Sequence, residues 1–344
     1  MFGYLRFILA SFVLASHTGI SLQGFNIGVF AVVCFFILAG FVVAGLFDKF
    51  FGQDKLSYFE FYFERILRIF PQYFFVLILT VIFVMQSGYF EIDFNVLNVV
   101  SSLVILPLNW APQVADIQTF IAPAWSLAVE LKAYLLLPFI IYFRLVKITL
   151  AVVSMVVFLV ASLGVINTDL YSLNTIFGTF FIFILGVSLY NTILRKEQEP
   201  DWFDLYFPAI AYVIMMLLMI VLGVVYREMI FVENVMEVAV GVMIGVPIVS
   251  YVASSSIKLP FNSLFGDLSY GVFLSHFLVI NIIKHYSGVT FSYGINETNA
   301  HISPYLYVMS VFVLSVLISL SALYLIERPI KKYRFMLTAS LRKK

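Results

Sequence analysis

Charge is scarce in this 344-residue chain. Asp, Glu, Lys and Arg make up 11% of it, against roughly 25% in an ordinary soluble domain, while hydrophobic residues reach 62%. With 38 Phe, 20 Tyr and a mean hydropathy of +1.04, a single water-soluble core cannot take up so much apolar surface without leaving large sticky patches. A bilayer is the natural solvent. Charge of one sign is not in excess either. Twenty Lys and Arg against 19 Asp and Glu give +1, which excludes a nucleic-acid binder that works by neutralising phosphates along a basic face. The one cysteine, Cys34, sits inside VVCFFILAGFVV, so neither a disulfide framework nor a CxxC metal site is available. The nucleophile elbow of serine hydrolases, the HExxH zinc helix and the P-loop are absent as patterns, and no bound metal or cofactor is expected.

What is present is a series of long apolar runs. A spanning helix needs about 20 mostly apolar residues, and ten candidates run over 4–22, 25–47, 71–88, 124–143, 147–166, 174–194, 206–225, 236–254, 270–287 and 304–325. The stretch VLNVVSSLVILPL, Val96 to Leu108, has 13 residues and reads as an interfacial or re-entrant piece. Lys and Arg accumulate in short cytoplasmic loops. With ten spans and both termini cytoplasmic, 17 of the 20 basic residues fall inside, leaving Lys132, Arg227 and Lys284 toward the other face. Counting 96–108 as a span would invert most of the later ones. The expected fold is therefore all-α and polytopic, with about ten transmembrane helices in one integral membrane domain over 1–344 and no appended soluble domain. The tail KKYRFMLTASLRKK reads as a basic anchor beside anionic lipid.

Ionisable groups at bilayer depth are costly and point to function. In the first span Arg6 and His17 are 11 residues apart, which returns to within roughly 20° of the same face about 16 Å higher. Glu130, counted from a span entry near Trp125, falls at a depth similar to that of His17. A carboxylate that fixes one imidazole nitrogen while the other faces a substrate is how a general base is assembled. The plainer readings are a buried neutral His17 bonded to a carbonyl and a Glu130 that pairs with Lys132 or sits at the rim as a solvated carboxylate. Arg65 and Arg68, in LSYFEFYFERILRIFPQYFF between spans two and three, project from one helix face, suited to bidentate phosphate contact or to pairing with Glu60 and Glu64. His276, counted from Tyr270, lies too low to meet His17 and reads as a lining or helix-bonding histidine.

These segments resemble, in order and over nearly the whole chain, the acyltransferase family 3 integral membrane proteins, which O-acylate sugars and related cell-surface molecules. RFILASFVLASH matches the family's Arg-x10-His signature with Arg6 and His17. CFFILAGFVV is similar to its second-span FF-x-LSGF run, with Ala39 in place of the usual serine. FERILRIFPQYF resembles its Arg-x-x-Arg block, and PAWSLAVELKAYLLLP its W-S-L-x-x-E segment through Trp125, Ser126 and Glu130. LSYGVFLSHF and ERPIKKY resemble the late Tyr/His span and the closing Glu-Arg-Pro, here Tyr270, His276 and Glu327. Lys132 departs from a common aromatic, with Tyr134 keeping aromatic character nearby, and the extracytoplasmic SGNH-type domain fused to some members is not expected here.

The resemblance implies an O-acyltransferase of a bacterial cytoplasmic (inner) membrane. Its co-substrate would be a cytoplasmic acyl-CoA, acetyl-CoA first, and its acceptor a glycan or lipid-linked glycan, with a separate extracytoplasmic acyltransferase as a partner if the chain only hands the acyl group on. Arg6, Arg65 and Arg68 would hold the donor phosphates and His17 would act as base or as acyl-carrying nucleophile. Glu130 would orient His17, and Trp125, Ser126, Tyr134, Tyr270 and His276 would line the pocket or touch the acceptor. Two other classes remain open on the residues: a proton-coupled transporter or flippase, with His17, Glu130 and His276 as stations of a relay, and a catalytically silent envelope scaffold. An arginine pair at the inner face favours the acyltransferase over the transporter, and the scaffold predicts that His17 can be replaced at no cost to function.

Overall fold

The computed structural model describes residues 1–20, 24–51, 58–88, 94–108, 117, 119–195, 200–225, 234–289, 291–292, 295–296 and 303–332. Its helices are α1 (Phe2–His17), α2 (Ile27–Phe51), α3 (Tyr58–Ser87), α4 (Val96–Val104), α5 (Ala124–Tyr142), α6 (Arg144–Ser162), α7 (Ile176–Ile193), α8 (Trp202–Val225), α9 (Val235–Ser254), α10 (Asn262–Ser287) and α11 (Pro304–Ala322). A π turn, Leu170–Asn174, leads into α7, and another, Leu323–Glu327, continues α11; Phe291–Ser292 pairs antiparallel with Ile295–Asn296. Among the described residues nine helices are long and apolar enough to cross a membrane, and α1, at 16 residues, is a shorter apolar helix. Together they correspond to the ten expected spans. Arg227, Lys55, Lys196 and the basic tail beyond Lys332 lie outside the described residues.

Helix is the structure these apolar runs must take, because hydrocarbon offers no partner to a free backbone N–H or C=O. The same constraint lets α3, α5, α8 and α9 carry Pro71, Pro138, Pro208 and Pro247 in their interiors. That tolerance explains one boundary read wrongly. Pro71 was expected to open the third span, yet α3 begins 13 residues earlier, so Arg65 and Arg68 belong to the spanning helix and not to a preceding loop.

The bundle packs around α2 and α7, whose spans have the largest buried share, while α8 and α11 have the smallest. Side chains such as Ile210, Leu217 and Val224 of α8 face outward, toward lipid in the membrane reading. α2 and α7 touch backbone to backbone: a Cβ on Gly40 would lie 1.9 Å from the Phe183 carbonyl oxygen, and one on Gly186 2.0 Å from that of Ile37. Close approach through small residues replaces the hydrophobic drive that lipid removes.

α1 and α10 run side by side in the same direction. The Gly3 amide donates to Asn262 Oδ1 at 2.9 Å, the Tyr4 hydroxyl to the Pro260 carbonyl at 2.8 Å, and a Cβ on Gly3 would meet the Asn262 carbonyl oxygen at 1.7 Å. α10 starts eight residues before the expected 270, because the polar opening NSLFGDLS lowers the hydropathy of its first turns without ending the helix.

α4 has its apolar side outward. Asn98, Ser101 and Ser102 are buried, whereas Val96, Leu97 and Val100 are exposed. The Tyr73 hydroxyl, near the middle of the 30-residue α3, donates to the Ser102 carbonyl at 2.6 Å. The nine-residue α4 therefore docks at mid-height rather than crossing, as the re-entrant reading of 96–108 expects. The buried Lys132 ammonium donates to the Leu108 carbonyl that follows, whereas Glu130 accepts from the Tyr134 hydroxyl.

Candidate active site

A cavity of about 120 Å³ opens where α1, α2, α3, α5 and α10 meet. Arg6 of α1, Arg65 and Arg68 of α3, and Glu130 and Tyr134 of α5 line its polar side; Phe36 and Ala39 of α2 line the apolar one. Arg65 and Arg68 share a face because they are three residues apart on one helix. The Tyr134 hydroxyl donates to Glu130 from one turn further along α5, and the Arg65 guanidinium carbon lies 5.8 Å from the Tyr134 ring centroid. The Arg65 Nε donates to Glu64 at 2.8 Å. Arg68 Nη1 reaches Asp267 Oδ1 of α10 at 3.3 Å and Glu327 Oε1 of the terminal π turn at 3.5 Å. Lys331 joins the same two carboxylates at 2.7 and 3.4 Å. Three guanidinium groups in one half-enclosed site make an anion-binding surface, with Glu130 the carboxylate inside it.

Other expected residues fall in place around it. Ser126 and Tyr270 line the cavity; the Ser126 hydroxyl donates to the Pro123 carbonyl at 3.0 Å and the Tyr270 hydroxyl to that of Ile69 at 3.2 Å. Trp125, expected to line the pocket or touch the acceptor, does not line this cavity and packs half-buried against the core. It neighbours Ser126 in sequence, and adjacent residues on a helix face different ways.

The pairing expected for His17 is corrected. Glu130 stands with the arginines, and the rings in contact with His17 are His276, at 5.4 Å between centroids and 23° between planes, and Phe277, at 4.5 Å. Two boundaries account for this. α5 begins inside the bundle, behind a segment whose Ile105, Leu108, Phe120 and Ile121 are buried, so depth counted from a surface entry at Trp125 misplaces Glu130. And since α10 starts at Asn262, His276 is 14 residues up its helix, about 21 Å, level with His17 at 15 residues, about 22 Å, up α1. The offset of 259 residues that pairs Gly3 with Asn262 also pairs His17 with His276.

The cavity stops short of the histidines. Phe35 and Phe273 line it with ring centroids 6.2 Å apart, and Phe273 lies 6.3 Å from His276. Sequence reasoning missed Phe273 and Asp267; the only available signal was their spacing of three and nine residues from His276 on one helix.

Arg6, Arg65 and Arg68 rim the cavity, and His17 stands about three turns beyond Arg6 on the same helix; the profile of an acyltransferase domain matches residues 2–324. The chain belongs to acyltransferase family 3. It is a multi-pass membrane acyltransferase. A protein of uncharacterised function from Aquifex aeolicus (strain VF5) is 30% identical over 222 residues, covering 63% of this chain and 91% of the relative. No solved structure matches this chain.

Proposed function

We propose that this acyltransferase moves an acyl group, acetyl in the simplest case, from cytoplasmic acyl-CoA to a hydroxyl of a sugar in a cell-surface or exported glycan. The observation that carries the reading is the separation of two chemistries along α1: a cavity with three arginines around Arg6 and an exposed imidazole, His17, about 16 Å further on. Arginine forks hold phosphates, and a long pantetheine arm is the part of the donor suited to cover the distance to the imidazole. His17 takes the proton of the acceptor hydroxyl as its oxygen bonds to the thioester carbonyl carbon. The carbon–sulfur bond then breaks and the leaving thiolate recovers the proton. In the relay form of the same chemistry His17 carries the acyl group between donor and acceptor. A bacterial relative is in keeping with a bacterial cytoplasmic membrane, and the excess of Lys and Arg in the segments at the Arg6 end supports that end inside and the histidine end toward the outer face. A separate extracytoplasmic enzyme would receive the acyl group if the acceptor is soluble on that side.

Radiolabelled acetyl-CoA presented to the arginine side of membrane vesicles tests this. Label passes to membrane or glycan material in the native protein, the transfer disappears in His17→Ala, and apparent donor affinity weakens in Arg65→Ala/Arg68→Ala. A native protein that consumes no acyl-CoA while driving a His17-dependent, pH-driven flux overturns it in favour of a transporter.

A further inference from the structure

We infer that His276 is the positioning residue for His17, taking the part that the sequence assigned to Glu130. The inference rests on His17 being the base. His276 is fully buried, and among the described residues neither ring nitrogen makes a well-formed hydrogen bond; the carbonyls of Val272 and Phe273, one turn back on its own helix, offer at most a weak local contact. The neighbouring Ser275 hydroxyl is turned away, donating to the Ser315 carbonyl at 3.4 Å. Around the pair stand aromatic rings, Phe277 on His17 and Phe273 and Phe277 on His276. A polar ring kept unpaired in such surroundings is costly, and a phenylalanine would fill the space without that cost.

The geometry shows what the nitrogens are for. Two imidazoles joined by an N–H···N hydrogen bond of about 2.9 Å have centroids roughly 5 Å apart. His17 and His276 stack at 5.4 Å between centroids and 23° between planes, a separation within reach of such a bond once the exposed His17 turns a ring edge toward His276. During transfer one His17 nitrogen receives the acceptor proton, while the N–H on the other donates to a neutral His276 nitrogen. That hydrogen bond fixes the tautomer and spreads the charge without moving a second proton. The Gly3–Asn262 contact at the opposite end of α1 and α10 sets the register that holds the two rings level.

The test compares His276→Phe, which keeps a ring and loses both nitrogens, with His276→Asn, which restores an acceptor. Acetyl transfer and direct acetyl-CoA binding are measured on the full-length protein. His276→Phe is expected to bind donor with unchanged affinity, because the arginines are untouched, and to lose about 100-fold in kcat with KM unmoved. His276→Asn is expected to recover at least tenfold of that loss. A kcat within twofold of native in His276→Phe, equal losses in both variants, or loss of donor binding in both overturns the inference and makes His276 a packing residue. His17→Ala, run alongside, separates the two levels: full transfer in that variant sinks the base assignment itself, whereas abolished transfer beside an indifferent His276→Phe sinks only the pairing.

Discussion

Arg68 Nη1 lies 3.3 Å from Asp267 and 3.5 Å from Glu327, so a cation on the cavity wall is already shared by carboxylates from two other helices. A phosphate of the proposed donor would have to compete with them. Lys331, which contacts both carboxylates, keeps them compensated when Arg68 turns toward the ligand. Arg68→Ala removes one charge-assisted contact, worth about 1.5–3 kcal/mol, and should raise the acetyl-CoA dissociation constant ten- to hundredfold. Asp267→Asn should lower it a few-fold by removing a competitor. Equilibrium binding to the detergent-solubilised protein reads both, and shifts in the same direction for the two variants would contradict the competition.

Gly40 and Gly186 lock α2 to α7 by mutual backbone contact. Adding one methyl at either position forces the helices apart, and overpacking of this kind costs about 1–3 kcal/mol. Gly40→Ala and Gly186→Ala should each lower the Tm in detergent by several degrees. In the double variant the second methyl enters a seam already opened, so the combined loss should be smaller than the sum of the two single losses. Strict additivity would mean that the two glycines do not share one contact.

The helical, polytopic fold and all ten apolar segments could be read from hydropathy, because lipid leaves the backbone few alternatives. The short 96–108 piece was legible for the same reason. What hydropathy hides is where a helix begins when its first turns are polar. Asn262–Ser269 and Tyr58–Phe70 both extend beyond their apolar windows, and since depth was counted from those windows, His276 was set too low. Glu130 was misplaced by the opposite fault: its helix begins within the bundle, a tertiary fact that local pattern does not carry. Arg6, Arg65 and Arg68 were brought together correctly because two of them share a helix face and the family motifs order the third.

Lys147 and Asp204 form a buried ion pair at 2.7 Å, and the Ser188 hydroxyl and the Asn191 amide complete the carboxylate's partners at 2.9 and 2.8 Å. Both side chains are under 8% exposed, so removing one leaves a charge without water. Lys147→Met should cost about 3–5 kcal/mol, whereas Lys147→Met/Asp204→Leu should regain most of it. Thermal unfolding in detergent measures the cycle, and transfer by the folded fraction should be unchanged since the pair lies on α6 and α8, away from the cavity. A double variant no more stable than Lys147→Met would show that Ser188 and Asn191, not the ion pair, dominate the seam.

Phe35 and Phe273 close the cavity toward His17 and His276. On the proposed route the acyl group passes these rings to reach the imidazole, so their bulk should limit what passes. A longer chain meets the obstruction more than an acetyl group does. Phe273→Ala opens the passage from the α10 side and leaves Arg6, Arg65 and Arg68 untouched. The ratio of kcat/KM for octanoyl-CoA to that for acetyl-CoA should therefore rise at least tenfold, equivalent to about 1.4 kcal/mol of relieved steric conflict. Because a ratio is read, a fall in folded protein cancels. The two donors share the same nucleotide end, so weaker phosphate binding also drops out. An unchanged ratio in both Phe273→Ala and Phe35→Ala would mean that the acyl group reaches His17 by a path that avoids this pair.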